Sequence, residues 1–90
     1  MEKAVLTVIG SDKVGIIAAV SKVFAECNVN ILDLSQTTMQ NIFTMMMLVD
    51  VADSTIPFGR LAEEMKRLGE SMNLKIQLQH ESIFDSMHQI

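Results

Sequence analysis

Tryptophan and tyrosine are absent from this chain, and cysteine and proline each occur once. The single cysteine, Cys27, excludes an internal disulfide and points to a reducing compartment, the cytoplasm. With one proline and four glycines, the chain is neither collagenous nor of low complexity. Cations are scarce too. Seven Lys and Arg against eleven Asp and Glu leave a net charge of −4, which argues against nucleic acid as the partner. No long apolar run occurs either. The longest, Ile42–Val49, is broken by Thr44 and falls far short of the ~20 residues of a membrane span. Met1-Glu2-Lys3 and Ala4–Ile9 lack the positive n-region and small-residue cleavage site of a signal peptide. Neither a membrane nor a cofactor is expected.

What the chain does have is apolar content: 49% of its 90 residues are hydrophobic and only 20% charged, enough for one small domain and too much for a disordered tail. That content changes period along the chain. Ala4–Ile9 is a short apolar run closed by Gly10-Ser11-Asp12, a buried strand and a turn. From Val14 to Cys27, Ile16, Val20, Val23 and Cys27 recur at helical spacing, and Asn28 suits the left-handed end of a helix. Val29–Thr38 reads as a strand, with Val29 and Ile31 on one face and Leu32 and Leu34 on the other. After the Gln40-Asn41 turn, Ile42–Val51 is apolar on both faces, the mark of a central strand. Asp53-Ser54-Thr55 can cap a helix whose first turn takes Pro57, and Phe58, Leu61, Met65, Leu68 and Met72 give the strongest helical pattern in the chain. Leu74, Ile76 and Leu78 then alternate with Lys75, Gln77 and Gln79 as an edge strand with one buried face.

The order β-α-β-β-α-β predicts an α+β, ferredoxin-like fold: a four-stranded antiparallel sheet with two helices on one face. Residues 1–80 form the domain. Residues 81–90 are an amphipathic, helical tail, with Ile83, Phe84 and Met87 on one side. Helices on one face leave Val5, Ile9, Ile42, Met46 and Leu48 on the other. An apolar patch of that size predicts a homodimer, through stacked open faces (the favoured geometry) or paired second strands. The tail is expected to dock on the open face or on the partner subunit.

The fold hosts many functions, so function must come from a site. A nucleic-acid module of this shape stacks bases on strand aromatics, and here the two central strands carry only Phe43. Gly10–Gly15 has the glycine spacing of a phosphate loop, but Ile16-Ile17 stand where it needs a lysine and a hydroxyl. Cys27 lies on an apolar helix stripe and reads as a small buried hydrophobe. His80 and His88, eight residues apart, do not reach one ion from one straight helix. Met45-Met46-Met47 alternate across a strand and read as core or interface filling rather than ligands. Ser11 has no neighbouring base. No catalytic residue and no metal site are expected, and the chain is not expected to be an enzyme.

One segment carries more. Thr7–Ile17 runs a strand into a tight turn and places Gly15 in the first turn of a helix, whose return strand opens with Val29-Asn30-Ile31. A helix start presents unpaired N–H groups that suit a carboxylate. Gly15 lets a ligand approach the backbone, Asp12 can hold an ammonium group or cap the helix, and Asn30 offers donor and acceptor together. Over residues 3–80 this arrangement resembles the ACT domain, a small-molecule-binding regulatory module of amino-acid metabolism. The Asp12–Ile17 opening, the Asn28–Asp33 run and the His80–Phe84 tail resemble the small stand-alone ACT proteins of the UPF0237 family. The resemblance implies a ligand, an amino acid, held at a dimer interface by Asp12, Val14, Gly15 and Ile16 of one subunit and by Asn30 and Ile31 of the other. Two positions depart from the family pattern: Val14 replaces a frequent proline, and Asp12 stands where amino-acid binders often have asparagine. With no enzyme attached, the resemblance implies a sensor that modulates a separate enzyme or regulator. The alternative is a protein-interaction subunit with a vestigial pocket.

Overall fold

The computed structural model describes residues 1–11 and 14–83. Six elements follow in order: β1 (Lys3–Gly10), α1 (Ile16–Glu26), β2 (Asn30–Met39), β3 (Ile42–Asp50), α2 (Phe58–Ser71) and β4 (Lys75–His80). They build one antiparallel sheet in the order β2-β3-β1-β4, with β1 and β3 central. This is the expected ferredoxin-like arrangement.

Alternation sorts the side chains. Ala4, Leu6 and Val8 of β1 lie in register with Val49, Met47 and Met45 of β3, and Leu6 and Val8 with Leu78 and Ile76 of β4. All are buried, together with Ile16, Val20 and Phe24 from α1 and Leu61 and Met65 from α2. Met45 and Met47 are core, while Met46 between them faces the other way and is 47% exposed. That opposite face pairs Val5 with Leu48, Thr7 with Met46 and Ile9 with Thr44, and neither α1 nor α2 covers it. Ile9, Ile42 and Met46 are accordingly exposed.

Both helices stop by one device. Asn28 and Asn73 take left-handed φ values of 59° and 58°. Beyond them, the Val29 N–H donates to the Phe24 carbonyl and the Leu74 N–H to the Gly69 carbonyl, each at 2.8 Å. The Asn28 and Asn73 N–H groups donate to Ala25 and Glu70. These are Schellman ends, and asparagine is the residue after glycine that best tolerates the left-handed turn. They redirect the chain from α1 into β2 and from α2 into β4.

Three expectations change in detail. Helix α1 begins at Ile16 rather than Val14, because Gly15 leaves helical geometry. Helix α2 is preceded by Pro57 in extended conformation, not capped by the Asp53–Thr55 side chains. The Ser54 hydroxyl instead closes its own turn, donating to the Ile56 carbonyl at 2.8 Å. A register shift between Ile31 and Asp33 resets the alternation of β2, so Leu34 pairs with Met47 and packs against the core.

Gly69 of α2 is buried against β4. A Cβ there would sit 2.8 Å from the Leu74 carbonyl oxygen and 2.9 Å from Ile76 Cγ1. One of these neighbours is backbone and cannot swing aside. Gly69→Ala should therefore lower the urea midpoint, because overpacking strain of about 1–3 kcal/mol outweighs a helix-propensity gain of at most ~1 kcal/mol. A raised midpoint would show that α2 shifts freely on the sheet.

Candidate functional site

The turn after β1 leads to the start of α1. Gly15 adopts φ 77°, ψ −1°, and its carbonyl accepts the first helical bond from the Ala19 N–H at 3.0 Å. A left-handed φ explains why glycine stands here. Among the described residues, nothing lies within 4 Å of where its Cβ would be. Next to it Val14 is 80% exposed, whereas the Ile16 side chain is fully buried, leaving Ile16 only a backbone role at the surface. The N–H groups of the first turn of α1 have no preceding helical carbonyl to bond. Gly15 has no side chain to cap them. Asp12, the expected ammonium holder or cap, lies outside the described residues, as does Lys13.

Asn30 opens β2 and is exposed, and Ile31 beside it is 40% exposed. Within one chain these two are far from the turn. Asn30 pairs with Asp50, which pairs with Lys3, whereas Gly10 pairs with Phe43. Seven residues of strand, at about 3.3 Å each, separate the two ends of the sheet. One subunit therefore holds the expected site residues apart, Val14-Gly15-Ile16 at one end of the sheet and Asn30-Ile31 at the other.

The Asn30 end has an acidic neighbour that sequence reasoning passed over. The Asp50 carboxylate accepts from the Ala52 N–H at 3.0 Å and the Glu2 N–H at 3.1 Å. These two bonds, the first the larger, hold its carboxyl below the usual carboxylate range. The signal was a charged residue closing the apolar run of β3. Because the folded value is depressed, the bonds contribute fully above the unfolded carboxylate range, near pH ~4. They are lost as pH falls through the folded value. The melting-temperature gap between the natural protein and Asp50→Asn should thus narrow on acidification. A gap that stays constant to low pH would refute this role.

His80 closes β4 among local partners. Its Nε2 lies 3.4 Å from Glu2 Oε2, and its ring meets Phe58 edge-on with centroids 5.7 Å apart. His88 lies outside the described residues. Among the described residues, no three His, Cys, Asp or Glu side chains group as metal ligands, and no helix is long and apolar enough to cross a membrane. Cys27 is half-buried against the core.

A four-stranded antiparallel sheet, two helices on one face and a glycine-led helix start define a small ferredoxin-like module. Residues 2–79 match the ACT domain, and the chain belongs to that family, within its UPF0237 group. It is 48% identical over 90 residues to a UPF0237 protein of Methanocaldococcus jannaschii, with 100% of both chains covered. Among solved structures it is similar to an ACT domain protein from Streptococcus pneumoniae, at 43% identity and a TM-score of 0.80, covering 92% of this chain and 93% of that one. It is also similar to a putative glycine cleavage system transcriptional repressor, at 25% identity and a TM-score of 0.71, over 88% of this chain and 45% of that one.

Proposed function

We propose that this ACT-domain protein is a stand-alone regulator that binds an amino acid between two copies of the chain and modulates a separate enzyme or regulator. It acts by binding rather than by catalysis. The observation that carries the reading is Gly15: a left-handed glycine at a helix start, where no described residue comes within 4 Å of a Cβ position. The N–H groups there suit the ligand's carboxylate. Asp12 suits an ammonium group, and Asn30 can bond either end of the ligand. The likeness to a putative glycine cleavage system transcriptional repressor, one-quarter identical to this chain, agrees with a regulatory role in amino-acid metabolism.

The separated half-sites call for a dimer, and topology favours one geometry. Strand β2 is a sheet edge, exposed along almost its whole length. Two-fold antiparallel pairing of β2 edges sets Asn30 of the partner subunit beside Met39, the end where Gly10 leads into the turn. Stacking the open faces brings no such pair of ends together along an edge. Each edge-paired dimer would hold two identical sites, each combining Val14, Gly15 and Ile16 with Asn30 and Ile31 of the partner subunit. A second reading, an interaction subunit with a vestigial pocket, draws on the uncovered apolar face around Met46.

A thermal-shift screen of the proteinogenic amino acids tests the proposal, since a ligand at ~100 times its dissociation constant stabilises by about 2.7 kcal/mol. Asn30→Ala should weaken calorimetric binding of the best hit by about 1–3 kcal/mol without lowering stability comparably. If no amino acid stabilises the protein, the interaction-subunit reading takes its place.

A further inference from the structure

Strand β4 is the sheet edge opposite β2, and no described strand pairs with its outer side. A bulge or a proline would blunt such an edge against a further strand. Strand β4 has neither, and its register with β1 is regular throughout. The Glu81 N–H donates to the Lys3 carbonyl at 3.0 Å, continuing the β1–β4 ladder. Alternate residues of an antiparallel ladder bond the same neighbour. Lys75, Gln77 and Gln79 therefore face β1, and the backbone groups of Ile76 and Leu78 point outward.

Helix α2 stands beside that edge. Two adjoining depressions, of about 390 and 200 Å³, lie between α2 and β4 and share Lys66 and Ile76. The larger adds Glu70 and Leu74, the smaller Glu63 and Leu78. Three pairs thus follow one another along a single groove: Leu74 with Glu70, Ile76 with Lys66, and Leu78 with Glu63. Leu74 to Leu78 spans about 13 Å of extended chain and Glu63 to Glu70 about 10 Å of helix, so the two walls keep step. The helix wall reads acidic, basic, acidic. Among the described residues neither Lys66 nor Glu70 forms an ion pair, and Glu63 meets only Arg67, at 3.8 Å with both side chains more than half exposed. At the Glu63 end the small residues Gly59 and Ala62 leave the groove wide.

We propose that β4 receives an extended segment of a partner protein as a fifth strand, with side chains alternating basic, acidic, basic against Glu63, Lys66 and Glu70. A strand paired with β4 turns every second side chain to the helix face, beside Leu74, Ile76 and Leu78, where the three charges stand. The charge order is the same from either end, so a parallel and an antiparallel segment both satisfy it. Backbone bonds supply affinity, and the charges select the partner. A second β4 does not fit, because its own side chains on this face are Leu74, Ile76 and Leu78. This edge is separate from the amino-acid site, and either can fail without the other.

The probe is the peptide acetyl-Thr-Lys-Val-Glu-Val-Lys-Thr-amide, titrated into the full-length protein by calorimetry and by backbone amide resonances. The Ile76 and Leu78 amides should shift while those of β2 stay in place. A peptide with Lys and Glu exchanged should bind about tenfold more weakly. Lys66→Glu, at an exposed position that leaves the core untouched, should weaken the first peptide by a similar factor. Replacing that peptide's Glu by Lys should restore its binding to the variant. Methylating the peptide nitrogens that face β4 should abolish binding. No binding at millimolar peptide, equal affinity for both charge orders, a Lys66→Glu variant without rescue, or shifts confined to β2 overturns the proposal.

Discussion

Replacing Gly15 with valine should cost the protein both stability and ligand, whereas replacing it with asparagine should cost only the ligand. The difference follows from φ 77°. A left-handed backbone penalises an ordinary L-residue by roughly 1–2 kcal/mol, and β-branched residues most, while asparagine visits that region readily. Both substitutions put a side chain where no described residue lies within 4 Å of the Cβ position. A sequence view that sets Gly15 in an ordinary helical turn expects the valine variant to fold normally, and the conformation corrects that. Melting curves and calorimetry on both variants separate the effects. Equal ligand affinity in the asparagine variant would remove the helix start from the site.

Phe24→Ala should be the most destabilising single truncation in the domain. Phe24 is among the largest fully buried side chains, 1% exposed. Its carbonyl also accepts the Val29 N–H that turns α1 into β2. Emptying such a site costs about 3–5 kcal/mol. A small domain has about 5–15 kcal/mol in all, so the variant should approach the unfolding threshold at room temperature. Lys66→Ala, at an exposed residue of α2, should stay within about 0.5 kcal/mol of the natural protein. Urea denaturation of the pair provides the measurement, and comparable midpoints would contradict the assigned core.

Most of the architecture was legible because each element carries a period. The two-faced apolar β3, the 3-4-3-4 spacing of α2 and the alternation of β4 each determine one type of element, and their order leaves few topologies. Asn28 was readable as a helix end from its chemistry. Two features were not readable. The shift between Ile31 and Asp33 inserts a residue into β2, and no side-chain pattern in Val29–Thr38 announces it, so the faces there were assigned from unbroken alternation. The φ of Gly15 was hidden because glycine fits a helical and a left-handed position equally well in sequence; only the chain path from Gly10 to Ile16 decides. For the site, the residue types were legible at the turn and at Asn30, but their separation along the sheet appears only once the β1–β3–β2 register is known. Asp12 and the end of the tail lie outside the described residues.

The shared site can be tested by mixing two defective proteins. Gly15→Asn spoils the helix-start half and Asn30→Ala the strand half, so each variant's homodimers carry two damaged sites. A mixed dimer carries one doubly damaged site and one intact site, because the intact halves come from different chains. Random exchange makes about half the dimers mixed, restoring about one quarter of the natural site number at natural affinity. Calorimetric titration of the exchanged mixture with the amino acid that stabilises the natural protein should recover that fraction. If mixing restores no high-affinity sites, the two halves do not meet across subunits, and the proposed site is wrong.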